Sequence, residues 1–194
     1  MKSILITITM LLSFSLHAER EMDYGMDHDM VDEANYSNVC NDVESDFTVS
    51  FPFADKSIKT VSDYSEEGRT LGTSTRPHYG IDLGAKYGTD VLAAHDGVVT
   101  AAYEDTQWGN GKHVSLETED GLHGSAYLHL SVISVSKGTK VKTGDKIGQV
   151  GNSGFVYGGT GVHLHFSYKV WCSGSGQFVY RDPSDKFLDY LAAK

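Results

Sequence analysis

Most of the chain is patterned as β-strands rather than helices. Residues 51–194 hold short runs rich in β-branched and aromatic residues, such as "GVVTAAYED" and "VHLHFSYKVW", separated by glycines. Asp-Gly or Asn-Gly pairs at 96–97, 110–111 and 120–121 favour hairpin turns between these runs. The pattern predicts a mainly β, antiparallel sheet domain rather than an alternating β/α fold.

One helix is predicted, at the end of the chain, in "DPSDKFLDYLAA". Asp182 suits the N-cap and Pro183 the first helical position. Apolar residues at 187, 188 and 191 form a stripe along one side. The predicted fold is therefore a β-domain with a short C-terminal helix.

The first residues differ from the rest. Lys2 precedes an apolar run from Ile4 to Leu16 of about 13 residues, and Ala18 is small enough for a cleavage site. A membrane anchor is the alternative, but a spanning helix needs about 20 residues. We expect residues 1–18 to be a signal peptide, so that the mature protein is periplasmic or secreted and not stably inserted in a membrane.

Negative charge is concentrated in residues 19–50. This segment carries ten acidic side chains against Arg20 alone, whereas residues 51–194 carry sixteen acidic and fourteen basic ones. It shows no helical or strand period, which predicts a flexible leader before a folded domain at 51–194. Without a basic patch, nothing indicates binding to nucleic acid.

The chain has two cysteines, Cys40 and Cys172. In an oxidising compartment such a pair predicts a disulfide, here between the leader and the strand "VHLHFSYKVWC". Two unpaired thiols are the alternative, because pairing depends on geometry.

Three segments carry candidate chemistry. In "TGVHLHFSYKV", His163 and His165 share one face of a predicted strand. They are either polar residues on a wet face or part of a metal or catalytic site. In "RPHYGIDLG", His78 and Asp82 have side chains that zinc prefers. Three such ligands with an open fourth position are typical of catalytic zinc.

The third segment is "GSAYLHLSV", in which His129 is expected to share a strand face with Tyr127. A single strand histidine is more often structural than catalytic. The motif H-E-x-x-H is absent from the sequence, so a peptidase built on these residues belongs to another class.

Together, "RPHYGIDLGAKYGTDVLAAHDGVV", "GSAYLHLSVISVSKGTKVKTGDKIGQVGNSG" and "GTGVHLHFSYKV" resemble the lysostaphin/LytM-type zinc metallopeptidases, which cut peptidoglycan cross-links. The resemblance runs from about residue 78 to residue 168. It implies a barrel-like antiparallel β-domain with one Zn²⁺ ion, held by His78, Asp82 and His165.

The resemblance also makes His129 and His163 the catalytic histidines, without deciding which one is the base. Tyr127 is either a hydrogen-bond donor to the oxyanion or a packed aromatic residue. The loop "NSGFVYGGTG" is longer than in the family, and its Phe155 and Tyr157 are either a wall of the substrate groove or a surface insertion.

The function implied is a monomeric zinc endopeptidase acting on peptidoglycan stem peptides, with the D-alanyl–diaminopimelate cross-link as the expected bond. Cleavage of glycine-rich bridges is the second candidate. A non-catalytic relative that activates cell-wall amidases is the third, but it typically lacks ligands that are all present here. A lipoyl- or biotinyl-type carrier leaves the histidines unexplained.

Overall fold

The computed structural model describes residues 47–71, 74–105, 109–156 and 161–187. These residues contain strands and no helix. The strands are β1 (Lys59–Ser62), β2 (Ser65–Leu71), β3 (Ser74–His78), β4 (Ile81–Gly84), β5 (Asp90–Leu92), β6 (Gly97–Asp105), β7 (Gly111–Glu117), β8 (His123–Ile133), β9 (Lys140–Val141), β10 (Lys146–Val150), β11 (Leu164–Cys172) and β12 (Gln177–Arg181).

The predicted antiparallel architecture is confirmed. A ten-stranded sheet runs in the order β1-β4-β11-β8-β7-β6-β9, with β10 paired to β5 and β8 and β12 paired to β11. Strands β2 and β3 form a separate hairpin. Strand β11, which carries His165 and directly follows His163, lies between β4 and β8 near the middle of the sheet.

The core lies on both faces of the central strands. Along β8 the first eight residues are buried, and along β11 only two of nine are not. Phe166 and Tyr127 pack edge to face within this core. Burial of a large apolar side chain contributes about 1.5–3 kcal/mol, so the strands that carry the histidines are also among the best anchored.

The folded domain begins before residue 51. Phe47, Val49, Phe51 and Phe53 alternate with smaller or polar residues, and Val49 and Phe53 are fully buried. Backbone hydrogen bonds join Val49 N to Lys186 O and Ser50 N to Ala94 O. The leader boundary predicted at residue 50 was therefore too late, since this short alternating run packs in the core. Residues 1–46, including the predicted signal peptide, lie outside the described residues.

The described part of the predicted C-terminal helix is a turn. Asp182 Oδ1 accepts a hydrogen bond from Ser184 N at 2.9 Å, and residues 184–186 turn the chain so that Phe187 bridges Val49. Asp182 thus caps this turn, while residues 188–193 of the predicted helix lie outside the described residues. Among the residues described, no helix is long and apolar enough to cross a bilayer.

Candidate metal centre

Strand pairing brings two of the candidate ligands, Asp82 and His165, together. Asp82 on β4 lies directly opposite His165 on β11 in the antiparallel register. His78 ends β3, and the turn at Gly80 leads into β4. A Cβ at Gly80 would lie 2.6 Å from His165 Nε2. The absence of a side chain at Gly80 therefore lets this turn approach β11 closely.

The three ligand atoms are nearly equidistant. His78 Nε2 lies 3.1 Å from Asp82 Oδ1 and 3.0 Å from His165 Nδ1, and His165 Nδ1 lies 3.0 Å from Asp82 Oδ1. Ligands at about 2.0–2.2 Å from a tetrahedral zinc are separated by a little more than 3 Å. His78, Asp82 and His165 therefore form a group that suits a single metal ion.

Further hydrogen bonds orient each candidate ligand. His78 Nδ1–H donates to the Asp63 carbonyl at 2.6 Å, which leaves Nε2 as the ring nitrogen with a lone pair for a metal. His165 Nε2 hydrogen-bonds the Ser167 hydroxyl at 3.0 Å, on the ring edge away from Asp82.

Arg69 holds the other oxygen of the carboxylate. Its Nη1 donates to Asp82 Oδ2 at 2.9 Å and also to Ser62 Oγ. Asp82 Oδ1 is thereby left facing the two imidazoles. Arg69 lies on β2, nine residues before His78, and no signal in the sequence linked it to the site.

Electrostatics favour the deprotonated ligands that a metal requires. Burial raises the pKa of the Asp82 carboxyl, but its hydrogen bonds with His165 and His78 outweigh this and hold the pKa well below the usual range. Burial lowers the pKa of His165, although Asp82 opposes the shift. At neutral pH the site therefore offers a carboxylate and a neutral imidazole.

The two other predicted histidines lie beside these ligands. His163 Nε2 is 3.5 Å from Asp82 Oδ1, and His163 Nδ1–H donates to the Gly161 carbonyl at 3.0 Å. The ring of His129 lies 5.1 Å from that of His163 and 6.1 Å from that of His165. The structure thus brings all five predicted residues into one cluster.

His129 is also uncharged at neutral pH. Its Nδ1–H donates to the Ser153 carbonyl at 2.9 Å, which leaves Nε2 without a proton. Burial lowers its pKa to about 4, and the nearby His165 adds to this shift.

A β-bulge sets the direction of His129. Lys112 pairs with Leu130 and Val114 pairs with Tyr127, so one residue of β7 faces two residues of β8. His129 has a φ of 64°, and it is the one non-glycine residue with positive φ in the part of the chain that the structure describes. Such conformations are uncommon and tend to occur at functional sites.

The bulge overturns the expectation that Tyr127 and His129 share a strand face. Tyr127 is fully buried, and its hydroxyl accepts hydrogen bonds from Ala94 N at 2.7 Å and Ser125 Oγ at 3.1 Å. Its ring packs on Phe166. Of the two roles considered for Tyr127, the structure favours the packed aromatic residue.

The remaining predicted residues lie elsewhere. Phe155 is 62% exposed and borders a cavity of about 200 Å³ together with Glu104 and Asp105, while Tyr157 lies outside the described residues. Cys172 is disulfide-bonded. Its predicted partner Cys40 lies outside the described residues, so the pairing stays a prediction.

Fold and site together define a class of protein: a small antiparallel β-domain with a His–Asp–His group whose spacing suits one metal ion. Comparison with known families then identifies the family. The profile of peptidase family M23 matches residues 76–179, which include all five clustered residues. The chain belongs to peptidase family M23, and the resemblance to lysostaphin/LytM-type proteins is confirmed.

Two relatives of known activity match about half of the chain. Glycyl-glycine endopeptidase ALE-1 of Staphylococcus capitis is 40% identical over 97 residues, which cover 50% of this chain and 25% of ALE-1. Peptidoglycan DD-endopeptidase ShyA of Vibrio cholerae is 41% identical over 94 residues, covering 48% of this chain and 20% of ShyA. The match therefore spans a quarter or less of either relative.

Solved structures match more of the fold. The catalytic domain of the antimicrobial peptidase lysostaphin from Staphylococcus simulans is 32% identical, with a TM-score of 0.56 over 66% of this chain and 90% of that domain. A zinc-containing peptidase from Vibrio cholerae is 27% identical, with a TM-score of 0.58 over 69% of this chain and 39% of that one.

Proposed function

We propose that this protein is a zinc-dependent endopeptidase that cleaves peptide cross-links of bacterial peptidoglycan. One observation carries the proposal: the donor atoms of His78, Asp82 and His165 lie 3.0–3.1 Å apart, with His129 and His163 beside them. Membership of peptidase family M23 supports the same conclusion.

The donor set fits zinc. Two imidazole nitrogens and one carboxylate oxygen are ligands that zinc prefers, and three protein ligands leave a fourth position for catalysis. A zinc ion held by His78, Asp82 and His165 would act as a Lewis acid and lower the pKa of a bound water to about 7. The similar fold of a zinc-containing peptidase supports this assignment.

His129 is the better candidate for the general base. Its Nδ1–H is committed to the Ser153 carbonyl, so Nε2 is the nitrogen that accepts a proton from water and returns it to the leaving amine. With a pKa lowered to about 4, the ring is neutral at the pH at which a base must act.

His163 has a different environment. Its Nε2 lies 3.5 Å from Asp82 Oδ1, and its Nδ1–H donates to the Gly161 carbonyl at 3.0 Å. We assign His163 to stabilising the negative charge that develops on the carbonyl oxygen of the substrate.

The bond that we propose is the D-alanyl–diaminopimelate cross-link, because ShyA is a peptidoglycan DD-endopeptidase. Glycine-rich bridges are the second candidate, since ALE-1 is a glycyl-glycine endopeptidase. Exposed Phe155 would form a wall of the groove in either case. A non-catalytic activator of amidases is disfavoured because all five histidine and aspartate positions are filled.

The location follows from the substrate. Peptidoglycan stem peptides lie outside the cytoplasm, so the proposal requires a periplasmic or secreted protein, in agreement with the signal peptide predicted at residues 1–18. We propose that it acts there as a monomer, without nucleic acid or stable membrane insertion.

Digestion of purified, cross-linked peptidoglycan tests the function. The mature protein is incubated with zinc or with a chelator, and His165→Ala is compared with His123→Gln, which alters a histidine bonded to Tyr168 outside the cluster. We expect loss of cross-linked dimers for the wild type and His123→Gln, but not for His165→Ala or with chelator. Product masses identify the bond. A folded, zinc-loaded wild type that cleaves nothing would contradict the proposal.

A further inference from the structure

We propose that Ser153 is a positioning residue for His129. The Ser153 hydroxyl holds the Ser153 backbone carbonyl in place, and this carbonyl fixes the tautomer of the His129 ring. This inference rests on the proposed function in one respect, namely that His129 takes part in catalysis. The contacts that lead to it are independent of the metal and of the substrate.

His129 needs support from outside its own strand. Its φ of 64° is a left-handed conformation at the bulge of β8, where the regular pairing with β7 is interrupted. Its backbone N–H donates to the Asn110 carbonyl at 3.1 Å instead of to a regular ladder partner. Its ring has one hydrogen bond that sets the tautomer, from Nδ1–H to the Ser153 carbonyl.

Ser153 is well placed to hold that carbonyl still. Its hydroxyl donates a 2.7 Å hydrogen bond to the carbonyl of Leu130, the residue that follows His129 on β8. The same hydroxyl accepts a 2.8 Å hydrogen bond from the backbone N–H of Lys112 on β7. One hydroxyl therefore joins the segment after β10 to both strands that form the bulge.

The backbone from Ser153 to Phe155 closely approaches the start of β7 and the residues just before it. Phe155 N–H donates to the Gly109 carbonyl at 2.7 Å. A Cβ at Gly154 would lie 2.2 Å from Gly109 O, and a Cβ at Gly111 would lie 2.4 Å from the Ser153 carbonyl carbon. The two segments therefore approach each other backbone to backbone, and the Ser153 hydroxyl adds a hydrogen bond between them.

The consequence for the ring is specific. While the Ser153 carbonyl accepts the hydrogen bond from Nδ1–H, the lone pair of His129 stays on Nε2, in a ring whose centre lies 5.1 Å from that of His163 and 6.1 Å from that of His165. Without the hydroxyl, the carbonyl gains freedom and the ring can exchange tautomers or rotate. A base with its proton on the wrong nitrogen binds substrate but does not turn it over.

Ser153→Ala tests this role, with Ser131→Ala as the matched control. The hydroxyl of Ser131 also joins two strands, donating to Gln149 O at 3.2 Å and Val150 O at 2.9 Å, and it lies two residues from His129 without touching its ring. Both variants lose a half-buried serine hydroxyl that hydrogen-bonds to strands of the same sheet, so both report on the structural cost of that loss.

Two measurements are made on the purified chain with zinc added: ¹⁵N chemical shifts of the His129 ring and steady-state kinetics on a cross-linked peptide. For Ser153→Ala we expect a mixture of tautomers, and a tenfold or larger fall in kcat with KM within twofold of wild type. For Ser131→Ala we expect the wild-type tautomer and kinetics within twofold.

A Ser153→Ala protein whose ring spectrum matches that of Ser131→Ala would overturn the proposal, and so would an unchanged kcat. If the wild type itself cleaves no peptide, the proposed function fails. The tautomer comparison alone then decides whether Ser153 positions the ring.

Discussion

Asp82 is held from two sides, by imidazoles at one carboxylate oxygen and by Arg69 at the other. The two carboxylate oxygens therefore have different roles. Oδ1 faces the position that a metal would take, and Oδ2 is kept away from it. Groups that orient metal ligands in this way typically change metal affinity by about 10–100-fold when they are replaced.

We therefore expect Arg69→Met to weaken zinc binding by about 10–100-fold, because the carboxylate is free to rotate. Competition with a chromophoric chelator measures this directly. Arg76→Met is the control, since Arg76 pairs with Arg69 across the β2–β3 hairpin and its loss removes the same charge. Equal effects of the two substitutions would show that charge, rather than the contact with Asp82, is responsible.

Because Lys169 is buried, we expect the stability of the fold to depend on pH. It is 4% exposed, lies 3.3 Å from Glu117 Oε1 and 3.8 Å from the centre of the Phe178 ring. Burial lowers its pKa from 10.5 to about 8, although Glu117 opposes the shift. Between those two pH values the unfolded chain binds a proton that the folded chain does not bind, so the free energy of unfolding rises with pH.

Urea unfolding of the wild type and Lys169→Met at pH 7.5 and pH 9.5 measures this effect. The stability of the wild type relative to the variant should increase by about 2 kcal/mol over that interval. A difference between the two proteins that stays constant with pH would show that Lys169 keeps an ordinary pKa in the fold.

At the scale of elements, the site depends on how closely two strands approach. The β2–β3 hairpin delivers His78 and Arg69, and the turn at Gly80 leads to Asp82 on β4. A side chain at Gly80 would meet His165 Nε2 and the Phe166 carbonyl, both at 2.6 Å. The strand spacing that aligns the ligands therefore requires glycine at this position.

Gly80→Ala should lower the free energy of unfolding by about 1–3 kcal/mol and weaken zinc binding, because it forces the turn away from β11. Gly84→Ala, at the end of the strand β4 that follows Gly80, is the control. A Cβ there would meet the exposed side chain of Val61, which can move aside. Chemical unfolding and metal titration of both variants test the prediction, and equal effects would contradict it.

Turn signals and alternation are local properties, and they were sufficient to predict the antiparallel sheet. The grouping of His78, Asp82, His129, His163 and His165 was instead implied by the resemblance to lysostaphin/LytM-type proteins, since local patterns left each histidine open to a structural role. The direction of Tyr127 and His129 was not predictable in this way. It depends on a bulge that appears only when β8 pairs with β7. Arg69 was missed for a related reason, since its contact with Asp82 arises from the folding of a separate hairpin.

At the scale of the whole molecule, the segment from Phe47 to Phe53 completes the core. Phe51 is buried and packs against Phe53 and Phe187, close to the other end of the described chain. The first and last described segments of the chain thus pack against each other through one cluster of phenylalanine side chains.

Phe51→Ala should lower the free energy of unfolding by about 3–5 kcal/mol, as expected for a fully packed aromatic residue. Phe155→Ala is the control, because that ring is 62% exposed and its loss should change stability by less than about 0.5 kcal/mol. Chemical unfolding monitored by circular dichroism compares the two, and a small effect of Phe51→Ala would mean that the segment is not part of the cooperative core.

The central claim is that His78, Asp82 and His165 hold one zinc ion. X-ray absorption at the zinc edge, combined with metal analysis of the purified protein, tests it most directly. We predict one zinc per chain with two imidazole nitrogens and oxygen donors at about 2.0–2.2 Å, and loss of the ion in His165→Ala. Sulfur among the zinc ligands, or full zinc occupancy in His165→Ala, would contradict the account.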